Sequence, residues 1–194
     1  MTQPGVESYA VMLTDCGNIT VVGPAVIACW LWLRRRWGAA AAWNFIFPVA
    51  LGFAATVALK FVSRWLGGSF GGTAFALSSG APSGHVEMIS AAYGGLAVAL
   101  LRQSRQPLSL LAGAAVVLLL TGVAITRVTL HAHTPGDVAM GLAIGGAAAV
   151  AVARGVTAPA EPSSRQVAEL VGLLVCVTLA MQLSGLRIDS GKII

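Results

Sequence analysis

Residues Leu108–Val128 read LSLLAGAAVVLLLTGVAITRV, an apolar run whose one charge, Arg127, stands near its end. A short polar word follows, T-L-H-A-H-T over Thr129–Thr134, and a second apolar run then opens at Pro135 and continues to Ala153. A helix that crosses a bilayer needs about 20 mostly apolar residues. Working outward, runs of the same kind recur at Ile19–Leu33, Ala39–Val62, Ser83–Leu101 and Val167–Leu183. The expectation is an all-α polytopic membrane protein, a bundle of six transmembrane helices forming a single membrane-embedded domain over residues 1–194. Composition points the same way. The 194 residues are 57% hydrophobic and 10% charged, whereas soluble domains carry about 25% charged residues. Mean hydropathy is +0.83. The alanine and glycine run Gly141–Ala151 suits close helix–helix approach.

The remaining segments read as connections. Ser63–Pro82 is a glycine-rich loop, and Arg154–Gln166 carries Pro159 and Pro162. The start lacks a basic leading region and carries Glu7 and Asp15, so it reads as a short interfacial helix rather than a secretory signal. Cys16, Cys29 and Cys176 lack metal-ligand spacing, and two of them fall inside apolar runs, so neither a metal site nor a disulfide framework is expected.

Charge sorts with the spans. Alternating six crossings puts Arg34, Arg35, Arg36, Arg102, Arg105, Arg154 and Arg165 on one side, and Lys60, Arg64, Arg127, Arg187 and Lys192 on the other. Cytoplasmic loops carry the excess of Lys and Arg. The protein is therefore expected as a multi-pass protein of the cytoplasmic (inner) membrane, with the first side inside and both termini outside. The net charge of +5 comes from these span ends, and no nucleic-acid partner is expected. The sequence carries no signal of oligomeric state.

All three histidines lie on the outer side, in two polar words. Ionisable groups beside lipid are costly and usually functional. Pro82-Ser83-Gly84-His85 opens the third span. Ser83 suits a helix N-cap, Gly84 lets backbone N–H groups approach a ligand, and a helix N-terminus favours phosphate. The plain alternative is a capped helix start with an interfacial histidine. In the second word, the planar fork of Arg127 suits phosphate oxygens, Thr134 caps the next helix and Pro135 fits its first turn. His133 and Asp137 are four apart, so the carboxylate can fix one imidazole nitrogen and leave the other as a nucleophile. His131 reads as an interfacial polar residue or a supporting one. Lys60 and Arg64 lie one helical turn apart, with snorkelling to head groups as their ordinary alternative. Glu87 lies inside the third apolar run, free to pair with a cation or tune the site.

Together these words resemble the type 2 phosphatidic acid phosphatase family of lipid phosphatases, whose motifs are K-x6-R-P, P-S-G-H and S-R-x5-H-x3-D. The second motif is complete at Pro82–His85. The third is matched by Thr126, Arg127, His133 and Asp137, with threonine in place of serine. The first keeps Lys60, but Gly67 and Gly68 hold the R-P positions, and Arg64 is the nearby arginine. The resemblance implies a metal-independent histidine phosphatase without cofactor, acting on a lipid phosphate or diphosphate. His133 would attack phosphorus to form a phosphohistidine, Asp137 would orient it and His85 would protonate the leaving oxygen. Lys60, Arg127, Ser83 and Gly84 would hold the phosphate, with Arg64 as a candidate replacement for the missing arginine. Substrates of the undecaprenyl diphosphate, phosphatidic acid and phosphatidylglycerol phosphate types all fit. Two other readings stay open: a lipid phosphotransferase with the same site, and a non-catalytic lipid-phosphate binder or transporter.

Overall fold

A computed structural model describes residues 4–65, 69–70, 77–78 and 80–185. The loop glycines Gly67, Gly68, Gly71 and Gly72, and Arg187 and Lys192, lie outside the described residues. Without water in the hydrocarbon core, every backbone N–H and C=O must be satisfied within its own segment, and the apolar runs accordingly fold as helices. In chain order these are α1 (Pro4–Asp15), α2 (Ile19–Arg36), α3 (Ala39–Trp65), α4 (Gly84–Ile89), α5 (Gly95–Gln103), α6 (Pro107–Thr129), α7 (Pro135–Gly155) and α8 (Ser164–Leu183). A π-helical stretch, Ser90–Gly94, joins α4 to α5, so Gly84–Gln103 is one rod. Between α3 and α4 two short strands, β1 (Ser69–Phe70) and β2 (Leu77–Ser78), pair antiparallel.

Among the described residues five helices are long and apolar enough to cross a bilayer, and a sixth span is completed if Tyr9–Asp15 and Ile19–Arg36 are taken as one, bent by 40°. The chain is thus an all-α, multi-pass membrane protein. The helix that carries the first apolar run extends beyond it: α2 runs on past Leu33 through Arg34–Arg36. Cations are favoured in the last turn of a helix, so the arginines extend the helix they were expected to follow. α3 likewise continues past Val62 to Trp65, which brings Arg64 into the same helix as Lys60.

The rod Gly84–Gln103 is the axis of the bundle. Of its apolar window 72% is buried by neighbouring helices, against 11% to 44% in the other four. It packs on α3, α6 and α7. The contact with α7 is backbone on backbone. A Cβ at Gly141 would lie 2.6 Å from the Ser83 carbonyl oxygen, and one at Gly145 would lie 2.5 Å from that of Glu87, so only glycine permits this approach. Outer faces carry exposed apolar side chains, among them Phe47 and Leu51 on α3, Leu111 and Leu118 on α6 and Leu179 on α8, as lipid-facing surfaces require.

One end of the bundle is closed by polar contacts. Arg36 pairs with Glu169 at 2.7 Å, Arg102 Nη1 donates to the Ala153 carbonyl at 2.7 Å, and Arg34 lies 5.5 Å over the ring of Trp30. These arginines all belong to the side expected inside. The two histidine words meet at the other end.

Candidate active site

The second word folds as a helix opening. Thr134 is the N-cap of α7 and Pro135 stands in its first turn. Thr134 Oγ1 accepts from the Asp137 N–H at 3.2 Å, and Asp137 Oδ2 accepts from the Thr134 N–H at 3.0 Å, a reciprocal capping box. Asp137 is fully buried and takes three further contacts. Ser78 of β2 donates its N–H to Oδ1 at 2.8 Å and its hydroxyl to Oδ2 at 2.6 Å. His133 Nδ1 lies 3.2 Å from Oδ2. The carboxylate is therefore saturated and fixes the ring beside it. His133 is pushed down to about 4, chiefly by burial and then by the charge of Arg127, against the opposing hydrogen bond to Asp137. At neutral pH its imidazole is uncharged. Nδ1–H donates to the carboxylate, and Nε2 keeps its lone pair.

The first word folds beside it. The Ser83 N–H donates to the Asp137 carbonyl at 3.0 Å, so the two helix openings are tied together. Ser83 is the N-cap of α4, as its position in the word predicts, yet its side chain caps nothing. Its hydroxyl is buried without a hydrogen-bond partner. Gly84 faces α3: a Cβ there would lie 3.8 Å from Lys60 Nζ. The charges of Arg127 and Lys60 both act on His85.

Arg127 closes the constellation from α6. Its carbonyl accepts from the N–H groups of Ala132 and His133 at 3.1 and 3.0 Å, which turns the chain from α6 towards α7. Its Nη1 donates to Thr14 Oγ1 at 3.4 Å, while its Nε is buried without a partner. Lys60 is acted on by Arg127, Arg64 and Asp137. Arg64 stands one turn beyond it on α3, where its charge acts on Lys60.

Lys60, Ser83, Gly84, His85, Arg127, His133 and Asp137 thus converge, with Arg64 at the margin. His131 does not join them. It is exposed, in the left-handed region with φ of 52°. Glu87 is fully buried, with both carboxyl oxygens unpartnered, and packs towards Gly52 of α3. Three contributors escaped the sequence reading. Ser78 lies in a stretch of small polar residues where nothing distinguishes it. Thr14 and Asp15 belong to α1, and Asp15 stood out only as an acidic residue of a start that lacks a basic leading region. The assembled site offers cations, unpartnered donors and a neutral, oriented imidazole, which is the equipment for receiving an anionic oxygen group and attacking its central atom.

A family model described as the PAP2 superfamily matches residues 60–159, 100 of the 194 residues. The match runs from Lys60 past the end of α7 and includes both words. No curated protein and no solved structure matches the chain.

Proposed function

The chain belongs to the PAP2 superfamily, and on that premise we propose that it is a membrane lipid phosphatase working through a phosphohistidine. Membership supports a phosphoric ester hydrolase in general. The finer reading is carried by one observation: the neutral His133, oriented by a saturated Asp137, stands among donors that have no partner among the described residues.

The phosphate of a lipid monoester or diphosphate binds between Lys60, the Arg127 fork, the Ser83 hydroxyl and the Gly84 backbone. Charge builds on the equatorial oxygens during phosphoryl transfer, and these donors stabilise it. His133 Nε2 attacks phosphorus as the bond to the leaving oxygen breaks, and His85 gives that oxygen a proton. Water then attacks the phosphohistidine, gives a proton back to His85 and frees His133 and inorganic phosphate. No step runs through a metal, so activity survives chelation, and vanadate inhibits by taking five-coordinate geometry at the same ligands. The site faces the outside of the cytoplasmic membrane, since the arginine-rich end then faces in.

The test is phosphate release by purified protein from a panel containing polyprenyl diphosphate, phosphatidic acid and phosphatidylglycerol phosphate. Release from at least one lipid, lost in His133→Ala, is the expected result. No release from any of them overturns the reading. Analysis of lipid products separates hydrolysis from transfer to a second lipid. Arg64→Ala lowers the catalytic constant by about tenfold if Arg64 helps hold the transferring group, the scale of a lost charge-assisted donor. Unchanged kinetics would make it a head-group anchor.

A further inference from the structure

We propose that the end of α1 and the turn that follows it, Thr14–Gly17, form a positioning element for the phosphate site, with Thr14 Oγ1 accepting from the Arg127 guanidinium beside the acidic Asp15. The inference rests on the phosphatase reading for the identity of the anion. It lies outside the stretch matched by the family, which begins at residue 60.

Two contacts and one charge place the segment. Thr14 Oγ1 accepts from Arg127 Nη1 at 3.4 Å. The negative charge of Asp15 acts on the same guanidinium. Gly17 lies flat on the first turn of α4: a Cβ there would come within 2.8 Å of His85 Cβ and 3.0 Å of its carbonyl oxygen. One short turn therefore touches both the phosphate-binding arginine and the proposed acid. The turn is itself anchored. α1 packs along α6, with Leu13 over Gly122, and Gln182 of α8 donates to the Met12 carbonyl and to Cys16 Sγ, each at 3.1 Å.

The arrangement matters because this site depends on one fork. Gly67 stands where the family pattern has its other arginine. A guanidinium binds phosphate oxygens best when two parallel N–H groups are aimed at them, and misplacing a positioned group by about 1 Å can cost ~100-fold. With Nη1 turned to Thr14, the buried and unpartnered Nε remains as a donor to the ligand.

The test is a double-mutant cycle read by orthovanadate binding in calorimetry on the full chain, a measurement independent of turnover. Asp15→Asn is made in the wild type and in Arg127→Lys, which keeps a cation and loses the fork. Positioning predicts that Asp15→Asn weakens vanadate binding by about tenfold in the wild type and less than twofold beside Arg127→Lys. Equal weakening in both backgrounds makes the turn merely structural and overturns the proposal. Tighter binding overturns it too, since that is the effect of removing a simple opposing charge. If Asp15→Asn does not fold, the near-isosteric Thr14→Val gives the same comparison. A wild type that binds no vanadate overturns the phosphate site itself, whereas one that binds vanadate without hydrolysing lipids overturns only the phosphatase reading.

Discussion

Two helix openings lie side by side in this bundle, and each buries an acid. At the start of α7, Asp137 accepts from Thr134, from both donors of Ser78 and from His133. At the start of α4, Glu87 is as deeply buried and has no partner among the described residues, and the hydroxyl of Ser83 is likewise unpaired among them. Burying a polar group without a partner costs about 1 to 3 kcal/mol. The α7 opening has been closed by its own side chains, while the α4 opening has been left unsatisfied. On the proposed reaction, the difference separates what orients from what receives. A nucleophile must be held before substrate arrives, so its carboxylate is saturated within the protein. A phosphate ligand must keep a donor free until then.

The contrast breaks first at the closed opening. His133→Ala removes the attacking atom and is expected to lower turnover by ~10⁴-fold or more, as loss of a nucleophile does elsewhere. Asp137→Asn keeps the shape but presents an amide to Ser78, Thr134 and His133, and is expected to cost about 10³-fold through the wrong imidazole tautomer. Single-turnover phosphate release measures both. An Asp137→Asn variant within a few-fold of wild type would mean that the saturated carboxylate orients nothing.

The pH profile sharpens the same opening. The attacking form of His133 is neutral, and its folded value is pushed down to about 4. The His133 contribution to kcat/KM is therefore expected to hold down to roughly pH 5 and to fall towards tenfold per unit below about pH 4 as the ring protonates, on top of whatever His85 adds as the acid. The charge of Arg127 is one cause of the low value, so Arg127→Ala should move this acid limb upward. An acid limb already at the ordinary histidine value in the wild type would place His133 in water and not in a buried pair.

The closed opening was also the more legible of the two. The His133–Asp137 spacing, the Thr134 cap and Pro135 can be read directly, because they act within one turn of helix. The expected spans match the helices to within a few residues, since a bilayer demands long apolar runs and little else resembles them. Contacts between distant segments had no such signal. Ser78 reaches Asp137 across 59 positions, and Arg127 reaches Thr14 across 113, with no periodicity linking either pair. Ser83 was legible as an N-cap position, but a cap residue that withholds its hydroxyl looks the same in sequence as one that uses it.

Ser83→Ala tests that withheld hydroxyl. If the group waits for phosphate, the variant loses about tenfold in kcat/KM, the lower range for a transition-state donor. Its melting temperature stays unchanged or rises slightly, since the lost hydroxyl bonded to nothing in the protein. A fall in stability with full activity would reverse the assignment and make Ser83 a structural cap like Thr134.

The smallest effect is expected at Glu87, and it asks whether the α4 opening is unsatisfied along its whole first turn. Glu87 is packed against glycines of α3 and α7, and no step of the proposed reaction uses it. Leucine fills nearly the same volume without polar atoms. Replacing an unpaired buried polar group by an apolar one of similar shape can be neutral or stabilising, and ~1 kcal/mol moves the midpoint of a chain this size by about 3 °C. Glu87→Leu is accordingly expected to raise the melting temperature in detergent by about that amount while leaving phosphate release unchanged. A drop of several degrees would mean that the carboxyl has a partner which the variant loses, such as an ordered water between α3, α4 and α7. The two openings would then differ in who satisfies the buried acid, protein at Asp137 and solvent at Glu87, and no longer in whether it is satisfied. In that case Ser83 alone would carry the distinction between the opening that orients and the opening that receives.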